Sequence, residues 1–309
     1  MTLIWPSCTP ASITTGSYTT MTIFELFALP AHDDSVRRAL AAALVLCLGS
    51  APLGVLMNLR HLGLVGDALS HAILPGVAVA FMIFGASLWP MTAGALVAGV
   101  LIAGFAYMLT RITRLREDTS FTFLYLVALA FGVLVIHHSG GDEELVHMLF
   151  GDAFKLESAS LMLAAGVSSL TVFCLCVFYR GLVIECFDPD FMQAAGRGRS
   201  LMGLLFFALM VINLVASFQI LGTLLALGMM LLPAIGAQFW SARVDAAMGI
   251  AIVAAMVSAY AGILTAYSYQ IPSGPAVVIY LGAFCVISVL IGPRGGLRNY
   301  LTVNCGGAK

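Results

Sequence analysis

The chain has 309 residues, 61% of them hydrophobic and only 9% charged, with a formal net charge of −1. A soluble domain carries about 25% charged residues, so this composition excludes one: there is too little polar surface to cover so much apolar mass. The near-zero charge leaves no electrostatic footprint for nucleic acid, which is not expected as a partner.

Residues 1–36 are rich in Ser, Thr and Pro and lack the basic start and continuous apolar run of a signal peptide. They read as a mostly disordered or interfacial segment, with a short interfacial helix around Phe24–Leu29 and an alternative start at Met21. Residues 37–309 read as one transmembrane domain. Apolar runs follow at about 38–59, 64–87, 91–110, 121–138, 159–179, 201–218, 220–240, 246–267 and 275–292. Each is close to the ~20 residues a helix needs to cross a bilayer core. None has the short alternating pattern of a membrane β-barrel. Helices satisfy their backbone groups internally, so they are the spanning element. The expected fold is an all-α integral membrane protein, a polytopic bundle of about eight to nine transmembrane helices. The least clear division lies within 201–240, where Asn213, Ser217, Gln219 and Gly222 mark the expected turn.

Orientation follows from the basic residues. If the loop at 111–116 is cytoplasmic, alternation puts Arg60, Arg111, Arg114, Arg116, Arg180, Arg197, Arg199, Arg243, Arg294, Arg298 and Lys309 inside, and only Arg37, Arg38 and Lys155 outside. The N-terminus is then external, the C-terminus internal, and the acidic run Asp142, Glu143, Glu144 external. Seven scattered cysteines, an odd number, do not form a disulfide framework. Cys174 and Cys176 point to different faces of a predicted helix and read as packing residues.

The second span carries Gly66-Asp67-Ala68-Leu69-Ser70-His71. Asp67 and His71 are i,i+4, so both side chains project from one helix face. An ionisable residue inside a span costs roughly 2.5–3.5 kcal/mol on insertion scales and marks a functional site by default. A carboxylate with an imidazole suits a divalent first-row ion. Two ligands do not close such a site; water, a second copy or a delivering protein must supply the rest. The alternative is local: Asp67 capping the helix start and His71 bonding a neighbouring carbonyl. His137 and His138, at the outer end of the fourth span, are further candidate ligands or plain interfacial histidines, and His147 beyond them is equally open. His61 reads as a cytoplasmic interfacial residue.

The inner stretch from Glu185 to Arg197 predicts a short cytoplasmic helix. Asp188 caps it, Pro189 takes the first position, Asp190 favours the N-terminus and Gly196 ends it. Phe187, Phe191 and Ala194/Ala195 are left for docking on a partner. Gly222, Gly228, Gly236 and Pro233 predict close packing and a kink in the seventh span. Ile271-Pro272-Ser273-Gly274-Pro275 reads as an outer turn. No GxxxxGK[ST] phosphate loop occurs, so ATP hydrolysis by that route belongs to another chain.

In order along the chain, these motifs resemble the permease subunits of bacterial zinc/manganese/iron ABC importers. Asn58-Leu59-Arg60 leads into Gly66-Asp67-Ala68-Leu69-Ser70-His71-Ala72-Ile73-Leu74-Pro75-Gly76-Val77-Ala78, which is similar to the family signature. Arg116-Glu117-Asp118-Thr119 resembles its cytoplasmic link, and Leu149-Phe150-Gly151-Asp152 its outer segment. Phe187-Asp188-Pro189-Asp190 through Gly196 resembles its ATPase-coupling segment, about 185–199. Ser217-Phe218-Gln219 to Leu232-Pro233-Ala234 and Pro272-Ser273-Gly274-Pro275 complete the series. The sequence departs from the pattern in its long N-terminus and at Ser120-Phe121-Thr122-Phe123-Leu124, where small residues and glycine are usual.

The resemblance implies a multi-pass protein of the bacterial cytoplasmic (inner) membrane that is not itself an enzyme. Two copies would pair, as a homodimer. Cytoplasmic ATPase subunits would bind the coupling segments, Phe187, Asp188, Pro189, Asp190, Phe191, Ala195 and Gly196. An extracytoplasmic binding protein would deliver Zn²⁺, Mn²⁺ or Fe²⁺ to Asp67 and His71. No cofactor would be held permanently, with ATP on the partner subunit and lipid around the spans. The rival functions are an ABC permease for a metal chelate and a stand-alone ion-coupled metal transporter. A metalloprotease is disfavoured by the missing HExxH.

Overall fold

The structure is a computed structural model that describes residues 33–85, 87–113, 116–139, 156, 158–187 and 199–294. Among the described residues the chain forms ten helical segments: α1 (Asp34–Leu59), α2 (Gly63–Ala72), α3 (Leu74–Phe84), α4 (Leu88–Ile112), α5 (Glu117–Ser139), α6 (Ser158–Phe187), α7 (Arg199–Leu221), α8 (Thr223–Gln238), α9 (Val244–Tyr269) and α10 (Ser273–Ile291). Eight helices are long and apolar enough to cross a membrane if α2 and α3 count as one, Gly63–Phe84, and α8 is a shorter apolar helix. This is a multi-pass membrane protein, as the apolar runs predict.

The boundaries differ from expectation where local chemistry intervenes. The first helix begins at Asp34, inside the stretch expected to be disordered or interfacial to residue 36. Asp33 is the reason: its carboxylate accepts from the Ser35 backbone N–H at 3.0 Å and satisfies a first-turn donor. The second span is two helices rather than one. Pro75 has no N–H to give, and the ladder is interrupted at Ile73 with Pro75 in the first turn of α3. Asp67 and His71 therefore sit on a separate ten-residue helix.

The break inside 201–240 is confined to Gly222. Its φ of 84° and ψ of 166° lie in a region that essentially only glycine adopts. Asn213 and Ser217, expected near the turn, are instead buried within α7. The Asn213 amide donates to Thr171 Oγ1 on α6 and to the Leu209 carbonyl at 3.0 Å. Gln219 Oε1 accepts from Thr92 Oγ1 on α4. These polar residues tie helices together across an apolar interior. The sixth helix also overruns its predicted end: Glu185, Cys186 and Phe187, expected in a loop, form its last turn, with Glu185 and Cys186 buried. The remaining loop residues, and the segment 1–32, lie outside the described residues.

The first helix is the central post. Its most apolar window is 78% buried against 17% for α5, so α5 belongs to the periphery. It packs against α6, α7, α8 and α9, while α10 closes over α8 and α9. On the other flank α3 packs on α4 and α5, and α2 lies against α5. Large apolar side chains such as Phe105, Phe131, Leu134 and Phe173 point outward, as expected where the surroundings are hydrocarbon.

Candidate metal site

The short helix α2 is two-faced. Val65, Ala68, Leu69 and Ala72 are buried against the bundle, and Asp67 and His71 face outward from it. The two side chains are 58% and 37% exposed, so both reach open space in this single chain. His71 Nε2 lies 3.8 Å from Asp67 Oδ1. That is longer than a hydrogen bond, but a single ion with metal–ligand bonds of ~2.1 Å can touch both atoms. Ser70, on the buried side, donates to the Asp67 carbonyl at 2.7 Å, so its hydroxyl is used locally and does not join the pair.

Neither partner expected from the local alternative takes part in this geometry. Leu62, rather than Asp67, occupies the N-cap of α2, without a side-chain cap bond. His71 instead faces an aromatic ring: its centroid is 6.4 Å from that of Tyr125 on α5, with 31° between the planes. Tyr125 belongs to the site's surroundings although sequence reasoning passed over it. No sequence signal pairs α2 with α5; only packing brings them together.

No group of three or more His, Cys, Asp and Glu that could hold a metal ion occurs among the described residues, which bring together two candidate ligands here, Asp67 and His71. His137 and His138 lie in the last turn of α5, but their side chains, and His147, are outside the described residues. His61 is exposed at the α1–α2 turn with a left-handed φ of 58°. Its neighbour Arg60 is better placed than the sequence suggested. The guanidinium carbon stacks 5.9 Å and 5.2 Å from the rings of Phe206 and Phe207, and Phe207 lies 5.1 Å from Phe121. This cluster anchors the turn that carries α2. Of the expected coupling residues, Phe187 ends α6 and is exposed. Asp188, Pro189, Asp190, Phe191, Ala195 and Gly196 lie outside the described residues.

Comparison with known proteins adds an independent line. The model of a family described as the ABC 3 transport family matches residues 32–292. The chain is 30% identical to a manganese transport system membrane protein, MntC, of Halalkalibacterium halodurans, over 85% of this chain and 89% of that one. It is 27% identical to the chelated iron transport system membrane protein YfeD of Yersinia pestis, over 87% and 89%. Its fold is similar to a solved structure of PsaBC from Streptococcus pneumoniae in complex with Fab. There the TM-score is 0.79 and the identity 26%, covering 92% of this chain and all of the other.

Proposed function

From the fact that this chain belongs to the ABC 3 transport family, we propose that it is the permease subunit of an ATP-driven importer of divalent transition-metal ions. The observation that carries the reading is the Asp67/His71 pair, 3.8 Å apart and half open on a helix inside a span. Asp67 Oδ1 and His71 Nε2 each give the passing ion one bond. Two bonds hold it only loosely, which suits a site that must release what it takes up. Water or the same residues of a second copy complete the coordination.

Manganese or iron is the favoured cargo, because the relatives are named for those metals. Zinc, which takes the same ligands, is the third candidate. The chain has no phosphate loop, so ATP is bound and hydrolysed by cytoplasmic partner subunits. Those partners dock at the inner segment after Phe187, and an extracytoplasmic protein delivers the ion. The permease itself performs no covalent chemistry. Two copies form the working unit in the bacterial cytoplasmic membrane.

A second reading, a permease for a metal chelate, is favoured by the name of the Yersinia pestis relative. Uptake by vesicles holding this chain with its ATPase partner separates the two. The first reading predicts ATP-dependent entry of free Mn²⁺ or Fe²⁺. Entry of a chelate alone supports the second.

A further inference from the structure

We propose that the cytoplasmic half of the seam between α2 and α5 is the exit route for the ion, with Asp118 as the next carboxylate it meets after Asp67 and His71. The inference rests on the metal-import reading and extends it to the side chains that release the cargo.

By the basic-residue bias, α2 and α5 both start at the cytoplasmic end and run outward. At 1.5 Å per residue, positions equally far from the two starts lie at similar depth. His71 and Tyr125 each lie eight residues beyond the first residue of their helix, and their rings are 6.4 Å apart. Asp67 then lies at about the level of Thr122. Asp118 lies about 10 Å nearer the cytoplasm than Tyr125.

Asp118, Thr122 and Tyr125 are i, i+4 and i+7, so they form one stripe on α5. Phe121, beside that stripe, is 1% exposed and faces the bundle, whereas Thr122 is exposed and Asp118 and Tyr125 are half-buried. The stripe meets the pair through Tyr125, whose ring lies 6.4 Å from that of His71.

The outer half of the seam is different. Gly132, two helical turns beyond Tyr125, touches the start of α3. A Cβ there would lie 3.1 Å from Pro75 N and 3.3 Å from Pro75 Cα. The two helices come close at this point, whereas the inner part of the seam carries the polar side chains Asp67, His71, Asp118 and Thr122.

The donors also change along the route. Asp67 and His71 give an ion one oxygen and one nitrogen. Level with Asp67 lies the Thr122 hydroxyl, whose proton is already donated to the Asp118 carbonyl at 2.9 Å, and further inward lies the Asp118 carboxylate. That hydroxyl keeps its lone pairs for a cation. Carboxylate and water oxygens suit Mn²⁺, so Asp118 offers an ion that leaves the Asp67/His71 pair a charged next contact toward the cytoplasm.

The test uses the full chain with its ATPase partner in vesicles. Thr122→Cys is exposed from the cytoplasmic face to a membrane-impermeant cationic thiol reagent. Labelling is read as the increment over the chain without that substitution. The proposal expects labelling that Mn²⁺ slows several-fold. It also expects Asp118→Asn to lower Mn²⁺ uptake at least several-fold while Mn²⁺ binding to the complex persists, with Asp118→Glu restoring much of the rate. A Thr122→Cys that stays unlabelled, as in a lipid-facing position, overturns it. So does normal uptake by Asp118→Asn. If the unsubstituted complex imports no free ion, the metal-import reading has failed first, and that result is seen before any variant is made.

Discussion

Tyr267 donates its phenolic hydrogen to Asp33 Oδ2 at 2.6 Å, joining the end of α9 to the cap of α1 across 234 positions of sequence. The same carboxylate accepts from the Ser35 backbone N–H and hydroxyl. One side chain thus starts the central helix and fastens it to its neighbour.

Those bonds hold the Asp33 carboxyl below its ordinary value, Ser35 contributing most and Tyr267 next. A carboxyl whose folded pKa is lowered stabilises the fold above its unfolded pKa. That contribution is lost as pH falls through the lowered value. The detergent-solubilised protein should therefore keep a level unfolding midpoint from neutral pH to about pH 5, then lose stability below about pH 4. Tyr267→Phe should lower the midpoint at pH 7 and make the acid loss shallower. Thermal unfolding followed by intrinsic fluorescence over this range checks both; an unchanged midpoint in Tyr267→Phe would remove the tie from the account.

Asn213 is fully buried in α7, and its amide is held by Thr171 Oγ1 on α6. Interhelical hydrogen bonds inside membranes are worth about 0.6 kcal/mol on average and up to about 1.7 kcal/mol. Asn213→Ala and Thr171→Val should each destabilise the protein by about that amount. The double variant should cost clearly less than their sum, because both remove the same bond. Denaturant unfolding of the four proteins gives the cycle, and strict additivity would mean the pair does not interact.

Gly222 separates α7 from α8 at φ 84°, a backbone conformation that strains any residue with a side chain. Gly222→Ala should cost about 1–3 kcal/mol. The loss should appear as a lowered unfolding midpoint with helix content, measured by far-UV circular dichroism, unchanged. A neutral Gly222→Ala would mean that the chain turns here in some other conformation.

Much of the fold is legible in the sequence because lipid imposes one rule everywhere: a span must be helical and apolar over about twenty residues. All nine apolar runs correspond to helical regions. What the runs do not reveal is finer. Pro75 splits the second span, whereas Pro52 and Pro233 lie inside continuous helices, so proline alone does not mark the break. Asn213 and Ser217 look like turn residues in sequence but are buried within α7. Asp67 and His71 are legible because helical spacing alone puts them on one face. Tyr125 is not, since its place beside His71 depends on α5 packing against α2 from more than fifty positions away.

The central claim is that Asp67 and His71 carry the ion through this chain. Its most direct test is ATP-dependent uptake of labelled Mn²⁺ by vesicles containing the permease and its ATPase partner, comparing the native chain with Asp67→Asn and His71→Ala at matched expression. Loss of nearly all uptake in both variants, with the complex still assembled, is the predicted result. Uptake at the native rate in either variant would contradict the claim and move the ion's path elsewhere in the bundle.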